Sequence, residues 1–211
     1  LERLAKLREI FYPVPDQTLG QRPMRVETQA DDPLHSEFVE NVRWTLRQVV
    51  FATLHVVGSN NGLAPFDPNA SVVRTPADDA EVARRVAAAV AWIEDTYAQA
   101  VAEKARGVLF LFQANPGFEL PPEDAQRNGF NEVIAALVEG AQAFGKPVIL
   151  AHGDSHYFRV DKPLREGSAA IANLTRVETF GDADYHWLRI EVDPRSSEVF
   201  TIHQEIVAAN R

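Results

Sequence analysis

Three short apolar runs, separated by two long amphipathic segments, constrain this chain more than any other feature. The runs are Gln48 to Val57, Val108 to Phe112 and Val148 to Ala151. Each is rich in β-branched, aromatic or aliphatic residues, and each reads as a buried strand, apolar on both faces. The first stops at Gly58-Ser59-Asn60-Asn61-Gly62 and the second at Asn115-Pro116-Gly117, both strong turn signals. Between the first two runs, Val82, Val86, Val90, Ile93, Tyr97 and Val101 trace one face of a helix, with Glu81, Arg85, Asp95 and Glu103 off it. Asp78 and Asp79 are placed to cap its start, and Gly107 ends it. Between the second and third, Phe130, Ile134, Leu137, Ala141 and Phe144 mark another helix, closed by Gly145-Lys146-Pro147. Residues 48–151 therefore read β-α-β-α-β, and helical crossovers between short apolar strands imply parallel pairing.

The flanks read differently. Leu1, Leu4, Leu7, Ile10 and Phe11 predict a short amphipathic helix, ended by Tyr12-Pro13-Val14-Pro15. Residues 13–40 are mostly loop, with a short strand at Met24 to Thr28. After residue 165, the runs 174–180, 186–192 and 199–206 alternate at period two, which predicts an antiparallel meander with one wet face. The expected fold is mixed α/β (α+β): a central βαβαβ followed by antiparallel C-terminal strands. Residues 1–211 are expected to form one domain, with a lead-in over 1–47, the site-bearing unit over 48–165 and the closing strands over 166–211.

Composition limits the partners. Hydrophobic residues make up 45% and charged residues 24%, enough for an ordinary core. The formal net charge of -9 repels a phosphate backbone and anionic lipid, so neither nucleic acid nor membrane is expected as a partner. No cysteine is present, which excludes disulfides, thiolate zinc sites and thiol catalysis. That leaves a cytoplasmic or an exported location equally open. No apolar run approaches the ~20 residues of a membrane span.

In an open α/β sheet, ligands bind beyond the carboxyl ends of the parallel strands. Those ends here are Gly58 to Asn61, Gln113-Ala114-Asn115 and His152-Gly153-Asp154-Ser155-His156. The last offers two imidazoles and a carboxylate within five residues, a donor set suited to Zn, Mn or Fe. The plainer reading of the same segment is a polar turn capped by Asp and Ser. Asn60 and Asn115 are candidates to hold a substrate, although turn chemistry also accounts for Asn60 and Asn61. His55 is in phase with Phe51, Thr53 and Val57 and stands close to the first strand end, so it joins the substrate-binding candidates beside a packed-core reading. Gly153-Asp154-Ser155 is similar to the nucleophile motif of GDSL esterases, but Asp184-Tyr185-His186 has the wrong spacing for the partner base. His35, His186 and His203 read as structural or surface groups; Glu40 to Trp44 could present Arg43 to an anion, although a solvated arginine beside a packed Trp44 is the plainer reading.

The run Val148 to His156 resembles the late Gly-His-x-His motif of calcineurin-like metallophosphoesterases, with its preceding buried strand. Gly153 matches the glycine and His156 the final histidine, while Asp154 stands in place of the first histidine. Val108 to Pro116 resembles an earlier strand-His motif, with Gln113 or Ala114 at the histidine position. The resemblance implies a layered β-sandwich flanked by helices and hydrolysis of a small phosphoester at a two-metal site. It implies Asp154, His156 and Gln113 toward the divalent metal (Mn, Fe or Zn), His152 as catalytic acid or ligand, and Asn60, Asn115 and His55 toward substrate. The family's Asp-x-His, Gly-Asp and Gly-Asn-His-Asp/Glu motifs should precede this segment, and none of them occurs before Val148. The expectation is that they precede Leu1, that residues 1–47 pack on that segment, and that an exposed apolar face marks the place. The rival expectations are a degenerate, non-catalytic binding module on the same layout, and an esterase using Ser155.

Overall fold

The computed structural model describes residues 2–66, 73–182 and 184–210. Residues 67–72, between the turn at Gly58 to Gly62 and the helix capped near Asp78, lie outside them. Three strands form the centre: β3 (Val49–Thr53), β4 (Gly107–Leu111) and β5 (Val148–His152). They are adjacent and parallel, as expected from their crossovers. The crossovers are α3 (Pro76–Ala102) and α4 (Asn131–Phe144), with α1 (Glu2–Phe11) preceding them and α2 (Gly58–Asn61) a single turn after β3. The helix α3 starts two residues before the acidic pair. Thr75 is its N-cap residue, and Asp78 reaches back to accept a hydrogen bond from the Thr75 N–H at 2.8 Å.

Among the described residues the main sheet has seven strands, in the order β1-β2-β3-β4-β5-β9-β6. The strands flanking the centre are β1 (Glu27–Thr28), β2 (Val42–Leu46), β6 (Arg159–Asp161) and β9 (Leu174–Glu178). Two antiparallel pairs lie outside it: β7 (Arg165–Glu166) with β8 (Ala169–Ala170), and β10 (Trp187–Val192) with β11 (Phe200–Glu205). No helix among the described residues is long and apolar enough to cross a membrane.

Period-two alternation divides the central side chains between two cores. Val50, Ala52, Val108, Phe110, Val148 and Leu150 face α3 and α4. Val49, Leu109, Ile149 and Ala151 face the β10–β11 hairpin, packing with Val199 and Phe200. This is why the runs are apolar on both faces. The two helices approach so closely that a Cβ on Gly140 would fall 2.1 Å from the Tyr97 ring. The Tyr97 hydroxyl donates to the Leu137 carbonyl at 3.0 Å.

The expected C-terminal meander is corrected in one strand. The hairpin β10–β11 is antiparallel as expected, but β9 joins the main sheet parallel to β5. Its polar alternate residues suggested a wet face; instead Arg176 and Glu178 are buried at 1% and 0% exposure. Ion pairs compensate them: Arg176 binds Asp161 and Glu119, and Arg159 donates to Glu178 at 2.6 Å. The strand β2 was also not expected. It pairs antiparallel with β3 through a two-residue turn at Arg47 and Gln48, both with positive φ. Such turns usually contain Asn or Gly, so the sequence carries no signal for it. The first strand accordingly begins at Val49 and stops at Thr53, leaving His55 in the extended segment beyond it.

Candidate functional site

The three parallel strand ends do converge. Gln113, after β4, sits between the other two. Its side-chain oxygen accepts the Gly58 N–H at 2.8 Å, and its Nε2 donates to Asp154 Oδ1 at 2.9 Å. The Asn115 N–H donates to Asp154 Oδ2 at 3.1 Å, and its side-chain amide to the Ser155 hydroxyl at 2.5 Å. A Cβ on Gly58 would lie 3.1 Å from both Asp154 carboxylate oxygens, so any larger residue there would press on the Asp154 side chain. A shallow cavity of about 540 Å³ lies here, walled by Gly58, Ser59, Pro65, Phe66, Gln113 and Asp154.

The backbone around this cavity is unusual. Ser59, Asn60 and Asn61 have φ of 56°, 54° and 54°, so α2 is a left-handed turn continued by Gly62. For residues with a Cβ this conformation costs roughly 1–2 kcal/mol each, least for Asn. Asn60 and Asn61 supply the compensating contacts. The Asn60 amide donates to Ala125 and Asn128, while its oxygen accepts the Gly129 N–H. Asn61 is fully buried, donating to the Gly129 carbonyl at 3.0 Å and accepting from Arg85 at 2.5 Å. Asn60 thus anchors the 125–129 loop through its side-chain amide. Asp154 and His156 also have positive φ, at 84° and 57°. Strained backbone of this kind clusters at functional sites.

The remaining candidates scatter. His152 is buried, at 3% exposure, stacked on Phe112 at 5.6 Å and edge-on to Phe118 at 5.9 Å. Its Nδ1 lies 2.9 Å from the Gly153 carbonyl and its Nε2 has no hydrogen-bond partner. Burial holds the imidazole below the usual histidine value, so it is neutral near pH 7. It is a core group beneath the loop. His156 is exposed and lies against the backbone of Gly181, where a Cβ would fall 2.4 Å from its ring. The nearest polar partner of the Ser155 hydroxyl is the Asn115 amide. An amide cannot take the proton that a serine nucleophile must lose.

His55 belongs to a separate cluster. Its Nδ1 is 2.5 Å from Glu40 Oε1, and Glu40 also receives two hydrogen bonds from Arg8, at 2.6 and 2.9 Å. Burial pushes the Glu40 carboxyl upward, but hydrogen bonds from His55 and Arg8 outweigh it and hold it at about 2. Sequence reasoning missed Glu40 and Arg8, because the contacts span 15 and 32 residues and have no local pattern.

The donor set does not fit a two-metal centre. The Gln113 side chain turns its nitrogen, not its oxygen, to Asp154, and His156 packs against Gly181. Among the described residues no three His, Asp or Glu side chains are grouped so as to hold a metal ion. Comparison of the chain with models of protein families, with curated proteins and with solved structures finds no match.

Proposed function

We propose that the strand-end cleft is a binding site for a small polar ligand, on a layout similar to that of the metallophosphoesterases but without their metal chemistry. One observation carries this reading: the Asp154 carboxylate is held by the Gln113 amide and the Asn115 N–H. Neutral donors fix the carboxylate and leave it a net negative charge with unused lone pairs. A ligand offering an ammonium or hydroxyl group would complete it, and the net charge of -9 favours a cation over an anion. A bare phosphoryl group would be repelled.

Ethanolamine tests this as the simplest such probe. Its addition should shift the side-chain amide resonances of Gln113 and Asn115 saturably, and Asp154→Ala should abolish the shift. No shift up to about 100 mM would contradict the reading.

A second reading is a metal-dependent phosphoesterase. It is favoured by Asp154 standing at the carboxyl end of β5, beside Gly58 and Gln113. The discriminating assay is hydrolysis of bis(4-nitrophenyl) phosphate with added Mn²⁺. The binding-module reading expects no turnover above buffer. Mn²⁺-dependent turnover that is lost in Asp154→Ala would replace it with the phosphoesterase.

A further inference from the structure

The second cluster lines a larger cleft than the strand ends do. The helix α1 buries none of its residues, yet it lies across the β1–β3 end of the sheet. It is clasped there by the paired hydrogen bonds from Arg8 to Glu40, and the Arg8 guanidinium lies 5.3 Å from the ring centre of buried Phe38. Beneath it is a cavity of about 650 Å³, within the range of ~300–1,000 Å³ typical of small-molecule sites. Its walls are mainly apolar: Leu4, Leu7 and Phe11 from α1, Val42 and Trp44 from β2. Trp44 is held flat against Phe51, with ring centres 5.3 Å apart and planes 4° from parallel. An apolar cavity with a rigid aromatic wall suits an apolar or aromatic body.

His55 is on the wall of this cavity and also of a smaller one of about 260 Å³ that shares Leu4. Its Nδ1 faces the ionised Glu40, which fixes the proton on that nitrogen. Its Nε2 makes no hydrogen bond with the described residues and is not among the fully buried unsatisfied atoms. With Nδ1 engaged by Glu40, Nε2 is the ring nitrogen left to hydrogen-bond a ligand in this mainly apolar cleft. A carboxylate on one ring nitrogen orients the imidazole and so fixes where the other nitrogen points. The other polar groups of the cluster are already engaged: Arg8 and His55 both with Glu40, and the Thr53 hydroxyl with the Glu40 carbonyl at 2.8 Å.

We propose that the cleft under α1 is a second ligand site, taking an apolar or aromatic molecule that carries one hydroxyl, with His55 Nε2 hydrogen-bonded to that hydroxyl. Glu40 is a positioning residue, and α1 is the removable wall.

The test compares 1-naphthol with naphthalene, which share a body and differ by the hydroxyl, in calorimetric titrations of the whole chain. The wild type should bind one 1-naphthol, about tenfold more tightly than naphthalene, which corresponds to the ~1.4 kcal/mol of one added hydrogen bond in a dry site. His55→Leu should remove that discrimination while retaining binding of the apolar body. Leu7→Lys, at a half-exposed position on the cleft wall, should weaken both probes while circular dichroism shows the fold retained. The proposal is overturned if the wild type shows no saturable binding, if the two probes bind equally, or if Leu7→Lys binds them like the wild type. It is also overturned if binding disappears as the protein self-associates, since the cleft would then belong to a second copy of this chain.

Discussion

Glu40 and Asp154 are both carboxylates at the margins of the same sheet, and their partners give them different characters. Glu40 is gripped by two ionisable groups, Arg8 and His55, in a half-closed apolar cleft. Asp154 is gripped by two neutral N–H groups in an exposed polar loop. The first arrangement holds the carboxyl at about 2 and orients an imidazole. The second rigidifies a loop without bringing in a compensating cation. A carboxylate at the end of a parallel strand does not by itself define a metal site; the groups that hold it set its character.

The largest effect that sharpens this contrast lies on the acid limb. The Glu40 carboxyl moves from 4.5 to about 2 on folding, a stabilisation on the order of 3 kcal/mol at neutral pH. A depressed carboxyl pKa contributes fully above its unfolded value and loses that contribution as pH falls to the folded one. Denaturation of the wild type should therefore show stability falling between about pH 4.5 and 2. Glu40→Gln should flatten that window, and an unchanged profile would remove Glu40 as the clasp.

Next in size is the anchor of the strand-end region. A Cβ on Gly129 would meet the Asn60 carbonyl at 2.4 Å, so Gly129→Ala should cost about 2 kcal/mol in urea unfolding. A neutral effect would mean that the left-handed turn is not held by that loop. A smaller effect belongs to His152, whose pKa is depressed by burial. Stability from the neutral imidazole is complete above its ordinary 6.5 and declines as pH falls below it, so His152→Phe should lessen the slope there. The smallest is Asp154→Asn. It keeps an acceptor in an exposed loop and should change stability by under ~1 kcal/mol.

The central strands and both crossover helices were legible because their apolar side chains are sorted by period. The convergence of the three strand ends followed from parallel pairing alone. The misplacement of β9 has a specific cause: Arg176 and Glu178 look solvent-facing in sequence, and only partners at positions 119, 159 and 161 make their burial affordable. The left-handed turn was read as a turn, but its handedness depends on contacts with residues 125–129. Density of ligand-type residues in His152 to His156 does not by itself bring their side chains together. The chain directs His152 inward between two phenylalanines and His156 onto Gly181, so neighbours in sequence do not share a centre.

The most direct test of the clamp is native mass spectrometry after equilibration with equimolar Mn²⁺ or Zn²⁺, comparing wild type with Asp154→Asn. The account predicts the metal-free mass for both proteins. One or two ions retained by the wild type and lost from Asp154→Asn would contradict it and make Asp154 a metal ligand.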